Sequence, residues 1–136
     1  MSYLLDTNVC IALINDSSSA VRRHFTRAVR RKAEISTSSI VAHELWYGVA
    51  KSQFIDQNTR ALAAFLSRDI TLLGYTERDA QAAGEIRAEL ERQGQRIGEY
   101  DALIAGQAFC RNLVLVTANT LEFVRVKGLV VEDWTE

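Results

Sequence analysis

Two short apolar runs, each stopping at a cluster of small polar side chains, limit the fold of this chain more than any other feature. Tyr3-Leu4-Leu5 ends at Asp6-Thr7-Asn8, and Leu113-Val114-Leu115-Val116 ends at Thr117-Ala118-Asn119-Thr120. Runs this short and this uniformly apolar suit strands buried on both faces, the condition of a parallel sheet covered by helices. The stretches between them carry helical periodicity, and strands alternating with helices give an α/β domain with a central, mostly parallel sheet. Right-handed crossovers then bring the strand ends at Asp6 and Asn119 to one edge, where open α/β sheets bind ligands. Asp6 has a second reading, as the N-cap of the helix that follows. If it serves a site instead, capping falls to Thr7.

With 136 residues, 48% of them hydrophobic, the chain suits one domain over residues 1–136 with a full core. A formal net charge of −1 argues against a protein that coats nucleic acid, so any such binding must be local. No segment has the pattern of a leader peptide or approaches the ~18 apolar residues of a membrane span, and a soluble cytoplasmic protein is expected. Cys10 and Cys110 lack metal-ligand spacing and are expected to be buried, reduced thiols.

A short helix over Val9–Ile14 precedes an amphipathic one over Ala20–Lys32. There Val21, Phe25, Ala28 and Val29 share one face, and Arg23, Arg27, Arg30 and Arg31 the other. The arginine face reads either as ordinary solvated surface or as a phosphate-contacting one. Ala33–Thr37 predicts a strand, after which Ser38 or Ser39 caps a helix over Ile40–Ser52. Glu44 falls inside that helix's apolar stripe of Ile40, Val41, Leu45 and Gly48. A carboxylate aimed inward is costly unless it is paired, protonated or bound to metal. Trp46 and Tyr47 are assigned to packing or to a partner groove.

Asp56–Ser67 predicts a further helix and Ile70–Tyr75 a strand. Thr76-Glu77-Arg78-Asp79 has the form of a capping box and opens a long helix through Gln93, whose acids are expected to be solvated. Beyond Gly98, Asp101 shares a helix face with Ile104, Ala105 and Ala108 and so points toward the interior. Its other reading is an acid placed favourably at the positive end of the helix dipole. A last apolar run covers Leu129–Val131.

Asp6, Glu44 and Asp101, with Asn119 as a fourth oxygen donor, form a set without His or Cys. Hard oxygen donors suit Mg²⁺ or Mn²⁺, which retain several waters. Such an ion can activate water, orient a phosphodiester and neutralise charge on the leaving oxygen, so phosphodiester hydrolysis is the natural match. Thr7, Asn8 and Thr117 are placed to orient the ligands, and either Asn119 or Glu122, the latter directly or through a water, fills the fourth ligand role.

In LLDTN at Asp6, ELWYG at Glu44, IGEYDALIAGQA at Asp101 and LVTANTLEFVRVKGLVVEDW at the end, in that order, the chain resembles PIN-domain ribonucleases. More narrowly, it resembles VapC-type toxins of bacterial toxin–antitoxin pairs. The resemblance implies a PIN-like three-layer α/β/α fold and endonucleolytic cleavage of RNA that depends on Mg²⁺ or Mn²⁺. It implies Asp6, Glu44 and Asp101 as the acidic core, and strengthens the reading of the arginine face as an RNA contact. It also implies a homodimer, and hetero-oligomers with a VapB-like antitoxin whose C-terminal segment occupies a groove near the site. Enteric members with a similar tail cleave initiator tRNA in the anticodon loop, which makes tRNA the expected substrate.

Two departures matter. Many PIN domains carry Asp at the position of Asn119, although this toxin subgroup resembles the present chain in having Asn; a neutral ligand there makes a single Mg²⁺ the expectation. Glu99 stands where relatives often have Pro. Two rival readings are weaker: a non-catalytic RNA-binding or regulatory module must account for three retained acids. A phosphotransfer protein with Asp6 as acceptor needs a second acid where Asn8 stands.

Overall fold

In the computed structural model, which describes residues 1–136, the run ahead of Asp6 is β1 (Ser2–Leu5) and the run ahead of Thr117 is β4 (Val114–Val116). They pair in parallel with Leu5 opposite Val116, and Leu4, Leu5, Leu115 and Val116 have no exposed surface. Strands of this kind need helices on both faces. Between them the chain runs α1 (Thr7–Asn15), α2 (Ser19–Arg30), β2 (Glu34–Ser38), α3 (Ser39–Ala50), α4 (Ile55–Leu66), β3 (Thr71–Leu73), α5 (Glu77–Arg92) and α6 (Glu99–Cys110). It closes with α7 (Thr120–Phe123) and β5 (Val131–Glu132).

All pairings are parallel, in the order β3-β2-β1-β4-β5, giving the expected α/β/α layers. The sheet grows from β1 first toward β2 and β3, then on the other side toward β4 and β5. The change of direction falls between β1 and β4, so a crevice opens at their carboxyl ends. Asp6 and Thr117 are the first residues beyond the two strands, and the Asp6 N–H donates to the Val116 carbonyl (2.9 Å).

Local sequence sets the helix starts. Ser38 rather than Ser39 caps α3, its hydroxyl accepting from the Ile40 N–H (3.0 Å). Thr76 and Asp79 form the capping box of α5. One expectation fails here: Asp79 is not solvated but 1% exposed. The capping box turns it inward against α6, and Arg111, just past the end of α6, closes on it with its Nε on Oδ1 (3.0 Å) and Nη2 on Oδ2 (2.8 Å). Burial alone would raise the Asp79 pKa; Arg111 and the Thr76 backbone outweigh it and hold the carboxyl well below its usual range.

The cysteines also separate. Cys10 is fully buried, and burial pushes its thiol up to about 12 against a hydrogen bond with Thr37. Cys110 is half-buried rather than buried, because its thiol takes part in the polar network at Asp79, donating to Oδ1 (3.1 Å).

The contact between α5 and α6 depends on one glycine. A Cβ at Gly106 would sit 2.5 Å from Ala83 Cα. Gly106→Ala is therefore expected to force the helices apart and to destabilise the fold by about 1–3 kcal/mol. A urea midpoint equal to the wild type's, at unchanged slope, would show that the helices can separate freely.

Candidate active site

Asp6 both caps α1 and enters the crevice. Its Oδ1 accepts from the Thr7 N–H (2.8 Å) and its Oδ2 from the Thr117 hydroxyl (2.8 Å). Each oxygen keeps a further lone pair for a ligand, so the two readings of Asp6 are compatible. Thr7 does not take over the cap. Its hydroxyl instead donates to Glu44 Oε1 (3.0 Å), tying the acid of α3 to the start of α1.

Asp101 lies half-buried in the first turn of α6, so close to Gly98 that a Cβ there would meet its Oδ2 at 3.4 Å. Its carboxyl is pushed up to about 7, first by burial, then by a hydrogen bond shared with Glu122, then by the negative charges of Asp6, Glu122 and Glu44. Glu122 moves the other way. The Asn119 amide donates to its Oε2, and this bond, with the one from Asp101, favours the charged form. The Asn119 N–H in turn donates to the Thr117 hydroxyl (3.0 Å), which holds the turn beyond β4 against Asp6.

The structure thus brings Asp6, Glu44, Asp101 and Glu122 together, with Thr7, Thr117 and Asn119 as their hydrogen-bonding partners. Asn119 presents its amide nitrogen to Glu122, and Glu122 is the group that reaches Asp101. Asn8 is exposed and bonds none of these acids. The opposite shifts of Asp101 and Glu122 mark the chemistry of the pocket: packed carboxylates repel until a cation or a proton intervenes. The donors are all hard oxygens, which fits a divalent ion such as Mg²⁺.

Arg23, Arg27, Arg30 and Arg31 are not brought to the pocket. The chain leaves α2 to begin β2, where the Glu34 N–H bonds the Met1 carbonyl, so the end of α2 lies at the opposite edge of the sheet. Arg27 and Arg31 line a recess there with Met1, Tyr3 and Trp134. Trp46 and Tyr47 are exposed rather than packed into the core. Two side chains beside the acids drew no attention from periodicity: His43 precedes Glu44, Tyr100 precedes Asp101, and the two rings meet across α3 and α6. Their adjacency to the inward acids was the available signal.

A PIN-domain family model matches residues 3–129. The tRNA(fMet)-specific endonuclease VapC of Shigella flexneri is 42% identical over 135 residues, covering 99% of each chain. This chain belongs to the VapC group of PIN-domain ribonucleases. Other VapC proteins agree: ribonuclease VapC2 of Rickettsia felis is 40% identical over 98% of each chain. Among solved structures, VapBC2 of Rickettsia felis bound to a promoter DNA fragment superposes with a TM-score of 0.91 at 37% identity, covering 98% of this chain and 99% of that one. DNA-bound VapBC of Salmonella typhimurium gives 0.89 at 40% identity over 98% of each.

Proposed function

We propose that this VapC-type chain is a cytoplasmic, Mg²⁺- or Mn²⁺-dependent endoribonuclease toxin, acting as one domain over residues 1–136 and cleaving initiator tRNA in the anticodon loop. The observation that carries the reading is the convergence of Asp6, Glu44 and Asp101 at the switch point of the sheet, tied together by the hydroxyls of Thr7 and Thr117. The substrate assignment draws on relatives named as tRNA(fMet)-specific endonucleases.

Asp6, Glu44 and Asp101 would hold the metal. Glu122 supplies the fourth carboxylate and Asn119 orients it. When bound, the divalent ion activates water and neutralises charge on the phosphodiester. The protein's part is orientation: Thr117 fixes one oxygen of Asp6, Thr7 fixes Glu44, and the half-buried position of Asp101 keeps its charge unscreened until it is matched. The products carry 5′-phosphate and 3′-hydroxyl ends.

A homodimer neutralised by a VapB-like antitoxin completes the proposal. A groove of 430 Å³, lined by Ile11, Ile14, Leu45, Gly48 and Leu62 and reaching Glu44, suits the antitoxin's C-terminal segment. The structural relatives include VapBC complexes. The arginine face of α2, distant from the acids, is assigned to more remote phosphates of an RNA as large as tRNA.

The test uses purified protein and initiator tRNA. Cleavage in the anticodon loop is expected with Mg²⁺ or Mn²⁺, is lost in EDTA, and is suppressed by the antitoxin. Cleavage undiminished by chelator would overturn the metal-dependent reading, and equal cutting of elongator tRNAs would overturn the choice of target alone.

A further inference from the structure

The acidic pocket repels the phosphates it is proposed to cleave, so nucleotides beside the scissile bond need a contact that does not depend on charge. The arginine face of α2 lies at the opposite edge of the sheet. Basic side chains on the near flank are partly engaged: Arg87 pairs with Glu91 and Glu99, and Arg125 donates to the Arg96 carbonyl.

One uncharged surface lies against both α3 and α6 at the acids. His43 and Tyr100 are exposed, and each immediately precedes an acid of the pocket in the sequence. Tyr100 Oη and His43 Nε2 lie 3.4 Å apart, and the ring centroids are separated by 5.8 Å. The rings are tilted at 48° rather than stacked, so neither covers the other's face, and Tyr100 keeps 49% of its surface exposed. Neither ring is part of the buried core.

We propose that Tyr100, held by His43, is the platform on which an unpaired base next to the scissile phosphate stacks. The inference rests on the ribonuclease reading above and adds to it a substrate feature: the cleaved nucleotide must lie in single-stranded RNA with its neighbouring base free of its own stack. Base–aromatic stacking is tolerant of sequence, because every base offers a π-face. The platform therefore positions the strand, and selection among RNAs comes from which loops can present an unstacked base. The hydrogen bond across α3 and α6 couples the ring's position to the helices that carry Glu44 and Asp101.

The experiment pairs protein variants with a loop RNA carrying an abasic residue at each position flanking the cleavage site. Tyr100→Ala is expected to raise KM for the intact RNA about tenfold or more, with a smaller effect on kcat, while Tyr100→Phe, which keeps the π-face but loses the bond to His43, falls between the two. In the wild type, an abasic residue at one flanking position reproduces the same loss; in Tyr100→Ala it adds nothing further. Thermal unfolding of both variants at the wild-type midpoint shows that the change is not one of folding. Losses that multiply at every flanking position would overturn the platform while leaving the ribonuclease reading intact. Normal cleavage by Tyr100→Ala, with weakened binding of the antitoxin, would also overturn it, by assigning the ring to that partner. No cleavage by the wild-type chain would overturn the ribonuclease reading and this inference with it.

Discussion

Asp101→Asn is expected to lower Mg²⁺-dependent RNA cleavage by more than about a hundredfold, because even the outer partners of metal ligands are worth ~10–100-fold. The substitution is isosteric and neutral, so it removes a ligand without opening a cavity. It should also stabilise the metal-free protein above neutral pH. Burial, the bond shared with Glu122, and the charges of Asp6 and Glu44 raise the Asp101 carboxyl to about 7 in the folded chain. An acid whose folded pKa lies above its unfolded value binds its proton more firmly when folded. Its contribution is therefore present at low pH and is lost as pH rises from about 4 to about 7. The wild type without metal should lose stability across that window, whereas Asp101→Asn should lose less and unfold at a higher temperature than wild type at pH 8.

Metal binding runs against the same proton. Mg²⁺ should bind the wild type more tightly as pH rises toward about 7 and level off above it, restoring at pH 8 the stability that deprotonation removes. Isothermal titration and thermal melts across pH 5 to 8, with Mg²⁺ and with EDTA, read both effects. Cleavage by Asp101→Asn at the wild-type rate, or a metal-free wild type whose stability is flat between pH 4 and 7, would remove Asp101 from the role given to it.

The inward acids were legible because their cost is local. A carboxylate within the stripe of Ile40, Val41, Leu45 and Gly48, or on the face of Ile104 and Ala105, conflicts with its neighbours in one helical turn, and periodicity alone exposes the conflict. The sheet edge was legible for a similar reason, since apolar runs that stop at Asp6 and Thr117 mark where burial ends. That Thr7, placed among the orienting residues, serves Glu44 in particular was not, because its hydroxyl meets an acid on another helix. Nor was the place of the arginine face: amphipathicity tells which side of α2 is wet but not which end of the sheet it occupies. Asp79 was misread for the plainest reason. An acid in the first turn of a helix is usually solvated, and the residue that buries it, Arg111, arrives only after α6 has folded back along α5.

That pair carries the largest expected effect on stability. Arg111→Ala should destabilise the fold by about 3–5 kcal/mol, the range for leaving a buried charge without its partner. Asp79 would keep the Thr76 N–H (2.8 Å), the Gln107 amide (3.3 Å) and the Cys110 thiol (3.1 Å), all weaker than a two-pronged guanidinium bond. The Gly74 carbonyl would also lose its bond from Arg111 Nη2 (3.0 Å). In the wild type the folded pKa of Asp79 is depressed, so the pair's stabilisation is present above pH 4 and is lost only as pH falls through the folded value. In Arg111→Ala that depression is relieved, and the penalty should shrink as the solution is acidified and Asp79 takes up a proton. Asp79→Asn combined with Arg111→Ala should accordingly be more stable at neutral pH than Arg111→Ala alone, a coupling that a double-mutant cycle in urea measures directly. The crevice at Asp6 is built by β1 and β4, away from this pair, so the folded fraction of Arg111→Ala should cleave RNA at the wild-type rate at low temperature. Additive losses in the cycle would mean that the two side chains act independently. A cleavage rate that falls faster than the folded fraction would mean that the buried pair also sets the position of α6, and through it the position of Asp101.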